Sequence, residues 1–284
     1  MSAYIGRFAP SPTGLLHFGS LVAALASYLD ARHHQGLWLL RIDDVDQLRI
    51  VKDSASNILK ALAIFGFKHD GIIRWQNQHL DDYQAALKTL NDKNLLYPCV
   101  CSRRDILKRS AFGIYTGICR NKTIDLNDSH AIRLKVQGKI SFKDQIQGLY
   151  QQHLTDQLGD FIVKRKDGLI AYQLATVVDD SQQKITHIIR GTDLLESTPR
   201  QIYLQQQLKY SAIQYTHIPL VMSSNGHKLS KQNKDAPVCL DHPLKTLKKA
   251  LQFLNQPLPE NSQNIDQLLQ QAAINWQIEK VKAA

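Results

Sequence analysis

The chain has 284 residues, 43% hydrophobic and 21% charged, which is the balance of a globular protein with one substantial core and a smaller attached unit. No apolar run approaches the roughly 20 residues that cross a bilayer, and no charged-then-apolar leader opens the sequence, so a cytoplasmic protein with no membrane partner is expected. Lys and Arg total 35 against 25 Asp and Glu, and the net charge of +10 suits either a polyanionic partner such as nucleic acid or a merely basic surface.

Ala3 to Phe8 reads as a short strand, followed by the turn-rich run Ala9-Pro10-Ser11-Pro12-Thr13-Gly14. A helix is predicted from about Ser20 to His34, with Leu21, Leu25 and Leu29 in a four-residue repeat and Gly36 placed to end it. Leu37 to Ile42 is a continuous apolar run, as in a buried parallel strand. Strand, helix and strand in that order form a βαβ crossover, the seed of a doubly wound sheet. Helical spacing returns over Lys52 to Phe67 and Asp81 to Lys93. A cysteine-bearing insert rich in Arg and Gly occupies Tyr97 to Arg120, and strands are predicted at Ala131 to Val136 and Asp160 to Lys164. Leu169 to Val178 suits strand or helix. Ile185 to Arg190 reads as a buried strand leading into a helix from about Pro199 to Leu208, and the residues after Gln232 look helical and Gln-rich.

Two segments carry the chemistry. Arg7 to Ser20 passes from the first strand to the first helix, where unpaired N–H groups and the positive dipole end attract anions. Within it, Gly19 leaves the backbone open to a nucleotide, and His17 offers a donor to phosphate. The second is Lys228-Leu229-Ser230-Lys231-Gln232 behind Ser223-Ser224-Asn225-Gly226. Two lysines flanking a hydroxyl on such a loop can neutralise a departing pyrophosphate, although a basic loop is also a common solvated feature. Of the four cysteines, Cys99, Cys101 and Cys119 cluster as metal ligands would, whereas Cys239 reads as a plain core residue.

Together the two segments resemble the HIGH and KMSKS signatures of class I aminoacyl-tRNA synthetases. With Arg41-Ile42-Asp43-Asp44-Val45-Asp46 and Ile189-Arg190-Gly191-Thr192-Asp193-Leu194-Leu195, the match over roughly residues 3 to 240 resembles the glutamyl branch. The resemblance implies an α/β, Rossmann-type doubly wound parallel sheet with a zinc-bearing insert and a short helical C-terminal part. The expected division is 1–95 and 161–210 for the two halves of the catalytic domain, 96–160 for the insert, and 211–284 for the lysine loop and C-terminal helices.

The resemblance also implies roles. Arg7, Ala9, Ser11, Asp43, Tyr172 and Arg190 would bind glutamate, with the arginines suited to its carboxylates and Asp43 to its ammonium. A buried Arg7 or Arg190 could instead sit in a structural ion pair, with Asp43 or Asp193 as partner. ATP, accompanied by magnesium, would be bound by His17, Gly19, Lys228, Ser230 and Lys231, and His17, Gly19 and Lys231 would serve catalysis. One structural zinc would be held by Cys99, Cys101, Tyr115 and Cys119, with His130 the chemical rival of the tyrosine. The sequence departs from the family at Ser20, where the HIGH motif ends in His, at the KLSKQ loop, and at Asp43, where Glu is usual.

The 52 residues after Gln232 are too few for a further domain of about 100 residues. A short glutamyl enzyme of this kind is similar to the family that places glutamate on the queuosine base of tRNA(Asp). The expected partners are therefore tRNA(Asp) carrying queuosine, ATP and glutamate, and the chain is expected to be a monomer. Arg103, Arg104, Lys108, Arg109 and Arg120 would grip the RNA backbone. Two rivals are a HIGH-type nucleotidyltransferase that builds a small cofactor and a catalytically silent synthetase paralogue that binds RNA.

Overall fold

A computed structural model describes residues 3–110, 112–125, 129–222, 237–260 and 262–283. Strand β1 (Ile5–Phe8) leads into helix α1 (Phe18–His33), and β2 (Leu37–Ile42) returns parallel to β1, so the predicted crossover is present. Leu21, Leu25 and Leu29 are fully buried, as their spacing requires. The helix ends differently from expectation. Gln35, at φ 52°, takes the left-handed turn, while the Gly36 N–H closes onto the Ala31 carbonyl at 2.8 Å. Gly36 is needed for close approach, because a Cβ there would lie 2.4 Å from the Tyr4 carbonyl oxygen.

Helix α2 (Ser54–Ile64) then precedes β3 (Arg74–Trp75), which pairs parallel with β2. After α3 (Leu80–Asp92) comes the insert, with β4 (Leu96–Cys99), the short α4 (Arg103–Leu107) and β5 (Ala131–Leu134). A hairpin of β6 (Lys139–Asp144) and β7 (Gly148–His153), absent from the sequence reading, follows. The one-turn α5 (Leu154–Gln157) leads to β8 (Phe161–Lys164), which pairs antiparallel with β5 as β4 does. The ambiguous stretch at Leu169 to Val178 resolves as helix α6 (Tyr172–Gln182), buried from Leu174 to Asp180.

The chain then re-enters the parallel layer with β9 (His187–Gly191), α7 (Thr198–Leu208) and β10 (Gln214–Ile218). The two parallel ladders meet where the Thr186 N–H donates to the Ile5 carbonyl at 2.9 Å. Helices α8 (Pro243–Phe253) and α9 (Ile265–Ile274) form the helical C-terminal part and share one apolar cluster with α1, β1 and β2. Trp276 fastens this part, donating from Nε1 to Asp30 Oδ1 at 2.8 Å. A second cluster unites α3, α6 and α7 with β5, β6 and β8.

Cys239 is exposed and not in the core. Val238 turns inward, its N–H bonded to the Leu16 carbonyl at 2.9 Å, so the next side chain faces outward. No helix among the described residues is long and apolar enough to cross a membrane.

Candidate active site

A cleft of about 500 Å³ opens at the C-terminal ends of β1, β2, β9 and β10, where open α/β sheets bind ligands. It gathers Arg7, Ala9, Ser11, His17, Gly19, Asp43, Tyr172 and Arg190, drawn from separate stretches of the chain. Lys228, Ser230 and Lys231 lie outside the described residues. The flanking residues Val221 and Pro237 are described: Val221 lines the cleft and Pro237 bridges to His17.

The N-terminus of α1 forms one side. His17 is its N-cap, and its Nδ1 accepts from the Ser20 N–H at 3.3 Å. In the neutral ring the proton is therefore on Nε2, which lies 2.9 Å from Ser20 Oγ. Ser20, which stands where the HIGH signature would end in His, thus steadies the ring. A Cβ on Gly19 would come within 3.2 Å of His17 Nδ1, so this glycine gives the imidazole its room.

Around Arg7 the site is a buried ion-pair network. Arg7 Nε and Nη2 donate to the two oxygens of Asp180 at 3.1 and 3.3 Å. Arg41, fully buried, donates from Nη1 to Asp180 at 2.6 Å and from Nε to Asp43 at 2.7 Å. The ion-pair partner of Arg7 is thus Asp180 on α6, not Asp43 or Asp193. Burial alone would raise the pKa of Asp180, but Arg7 and Arg41 outweigh it and hold the carboxyl below its ordinary value. At Asp43 burial prevails over Arg41 and the pKa is raised. Asp43 lines the cleft, although one of its oxygens is already engaged by Arg41.

Arg190 is held by neutral groups. Its Nε donates to His217 Nε2 at 3.0 Å, and its Nη2 donates to Thr198 Oγ1 at 2.8 Å. Nη1 is buried without a hydrogen-bond partner among the described residues, and no described carboxylate forms an ion pair with this guanidinium. Burial pulls the pKa of Arg190 below the usual arginine value. A buried cation on a cleft wall with a donor to spare is suited to an anionic ligand. Close by, a Cβ on Gly191 would lie 2.5 Å from Asp193 Oδ1, so a side chain at this position would have to displace that carboxylate.

A second constellation lies in the insert. The Sγ atoms of Cys99, Cys101 and Cys119 all lie within 4.8 Å of one another, and His130 is not among this group of donors. The Tyr115 hydroxyl oxygen accepts from Cys99 Sγ at 3.2 Å, lies 4.0 Å from Cys101 Sγ and accepts the Cys119 N–H at 2.9 Å. Gly159, at φ 70°, permits the approach of the Tyr115 backbone; a Cβ there would lie 2.4 Å from the Tyr115 carbonyl oxygen. Arg133 donates from Nε to Cys99 Sγ at 3.2 Å, and its guanidinium lies 3.8 Å from the Tyr115 ring centroid. Burial and the neighbouring sulfurs push Cys101 up to about 11. At Cys119 burial acts in the same sense, but hydrogen bonds from Tyr115 and Cys101 outweigh it and lower the pKa. Three thiols and a phenol this close fit the tetrahedral demands of zinc, whose Zn–S distances are about 2.3 Å.

Of the basic residues assigned to RNA, Arg103, Arg104, Lys108 and Arg109 are exposed on and just after α4. Arg120 is committed elsewhere, with its Nε donating to the buried Asp160 at 2.6 Å and its Nη2 to the Val136 carbonyl at 3.1 Å. It closes the insert onto β8 and does not extend the exposed patch.

Residues 5–246 match the family described as tRNA synthetases class I (E and Q), catalytic domain, and the chain belongs to that family. Among its relatives, the glutamyl-Q tRNA(Asp) synthetase of Janthinobacterium sp. (strain Marseille) is 49% identical over 268 residues, covering 90% of this chain and 91% of the relative. The glutamyl-Q tRNA(Asp) synthetase of Acinetobacter baylyi is 46% identical over 281 residues, or 99% of this chain and 94% of the relative. A glutamate tRNA ligase from Elizabethkingia meningosepticum has the same fold, with a TM-score of 0.83 at 24% identity. That alignment covers 100% of this chain and 66% of the ligase.

Proposed function

We propose that the chain activates glutamate with ATP as glutamyl adenylate and transfers it to tRNA, the acceptor being the queuosine base of tRNA(Asp). The observation that carries the amino-acid half of this reading is Arg190, a buried guanidinium with no acidic partner among the described residues, on the wall of a cleft that also receives the N-terminus of α1. The kinship with glutamyl-Q tRNA(Asp) synthetases supports the acceptor half.

Glutamate enters with one carboxylate toward Arg190, with Arg7, Ala9, Ser11, Asp43 and Tyr172 around it. Its α-carboxylate oxygen attacks the α-phosphorus of ATP, a new P–O bond forms, and pyrophosphate departs with the electrons of the broken bond. His17, the first N–H groups of α1 and Lys231 stabilise the charge on the phosphates, and magnesium accompanies ATP. The nucleophile is already charged, so the protein contributes mainly position and electrostatics. A hydroxyl of the modified base then attacks the adenylate carbonyl, and AMP leaves. The exposed cations of α4 hold the RNA backbone, and this grip weakens with salt.

Cys99, Cys101, Cys119 and Tyr115 would hold one structural zinc in the insert, and a metal held there would tie β4 to the loop that carries Tyr115 and Cys119. Arg133 offsets the negative charge that such a ligand set accumulates. Purified protein should contain about one zinc per chain. Cys101→Ser should lower that content and the melting temperature together, and zinc-free wild type of unchanged stability would remove the assignment.

The function is tested by amino-acid-dependent pyrophosphate exchange with all twenty amino acids, followed by transfer of labelled glutamate to tRNA(Asp) with and without queuosine. Exchange with glutamate and transfer only to the modified RNA is expected. Exchange with no amino acid, with or without tRNA, would favour a cofactor-building or purely RNA-binding protein.

A further inference from the structure

The support behind Arg190 is built differently from every other buried arginine contact in the cleft. The Arg190 Nε donates to His217 Nε2 at 3.0 Å, and on the far side of the ring His217 Nδ1 lies 2.6 Å from Asp144 Oδ2. Because Nε2 accepts, the neutral ring carries its proton on Nδ1, directed at Asp144. Asp144, His217 and Arg190 are all buried. The β6–β7 turn is locked onto β10 around them. Asp144 Oδ1 accepts the N–H groups of Ile146 and Gln147, both at 2.9 Å, and the Gln147 side-chain amide donates to the His217 carbonyl at 2.8 Å. Beside this, Thr216 Oγ1 donates to Gln145 Oε1 at 2.8 Å.

An acid placed directly against Arg190 would orient the guanidinium equally well, but it would also neutralise it. A substrate carboxylate would then compete with a resident one. A neutral imidazole supplies the acceptor and leaves the positive charge, while Asp144, one ring further away, fixes the tautomer. We infer that His217, held by Asp144, is a positioning residue for glutamate recognition: it fixes the Arg190 guanidinium while leaving its charge to the substrate carboxylate. This rests on the glutamate-binding reading of Arg190 given above. It assigns a task to the β6–β7 hairpin, whose turn is joined to Arg190 through this chain of hydrogen bonds.

The test compares His217→Gln with His217→Glu in the full chain, measuring KM and kcat for glutamate and for ATP by pyrophosphate exchange. A glutamine can accept from Arg190 and donate to Asp144 with no charge of its own, so its glutamate KM should stay within about threefold of wild type. The glutamate variant pairs with Arg190, and its glutamate KM should rise about 100-fold with the ATP KM unchanged. Equal glutamate KM values in the two variants would overturn the proposal, because a merely structural histidine would not distinguish charge from hydrogen bonding. If His217→Glu does not fold, Asp144→Asn carries the same test. Its amide can donate to the ring and turn the imidazole so that Nε2–H faces Arg190, so the glutamate KM should rise about tenfold. No rise would overturn the proposal. Arg190→Ala runs beside them: an unchanged glutamate KM in that variant would remove the binding reading itself, an outcome separate from failure of the His217 variants.

Discussion

Arg7 and Arg190 enter the same cleft from β1 and β9, but Arg7 is bracketed by the Asp180 carboxylate whereas Arg190 meets an imidazole and a hydroxyl. On the Arg7 side, two guanidinium groups face the carboxylates of Asp43 and Asp180, and the charges cancel within the wall. On the Arg190 side no described carboxylate forms an ion pair with the guanidinium, and Nη1, like Nη2 of Arg41, has no hydrogen-bond partner among the described residues. On the proposed reading the same side chain serves chiefly architecture in one place and recognition in the other, and the partner decides which. A buried ion pair resists disruption, because removing one member strands the other, whereas an uncompensated cation does little for stability and much for an anionic ligand.

The comparison can be broken most forcefully at Asp180. Asp180→Ala strands Arg7 and leaves Arg41 with Asp43 and Asp179 alone, and chemical denaturation should show a loss of about 3–5 kcal/mol. A loss below about 1 kcal/mol would mean that the network is not holding the wall together. Arg190→Ala should do the converse. Its glutamate KM should rise about 30- to 1000-fold, equivalent to about 2–4 kcal/mol, with little change in unfolding free energy. A variant that unfolds readily yet binds glutamate normally would reverse the two assignments.

A smaller effect separates the walls by pH. The pKa of His217 is lowered, first by burial and then by Arg190, against the pull of Asp144. The unfolded chain therefore takes up this proton near 6.5 while the folded chain does not, and stability falls as pH drops from about 6.5 through the lower folded value. Asp180 and Asp144 are lowered carboxyls, and their contributions persist until the pH falls below the ordinary value of 3.8 toward their folded pKa values. Urea denaturation between pH 7 and about 5 should thus show a slope that His217→Gln reduces and that substitutions at Asp180 do not. An identical slope in wild type and His217→Gln would contradict this.

Much of the cleft was legible because its residues sit in local patterns. The first crossover followed from apolar spacing, and the run from Arg7 to Ser20 followed from its place between strand and helix. The partners were not legible. Asp180 pairs with Arg7 across 173 positions, and it lies just past a stretch, Leu169 to Val178, that suited strand and helix equally. His217 and Asp144 are 73 positions apart and meet only through a hairpin that the sequence reading passed over. The alternation in Lys139 to Asp144, with Ile140 and Asp144 buried, was the signal that could have revealed it. Cys239 misled because cysteine is so often buried, whereas its orientation was set by Val238 taking the inward position. Arg120 looked like part of a basic surface because charge content does not show which cations already have a buried partner.

The central claim, that an uncompensated Arg190 selects a carboxylate for activation, is tested most directly by pyrophosphate exchange of the wild-type chain against rising glutamate and, separately, rising glutamine. The two side chains differ in little but charge. A kcat/KM for glutamate exceeding that for glutamine by about 100-fold or more is the predicted result. Comparable values for the two, or exchange with glutamine alone, would contradict it.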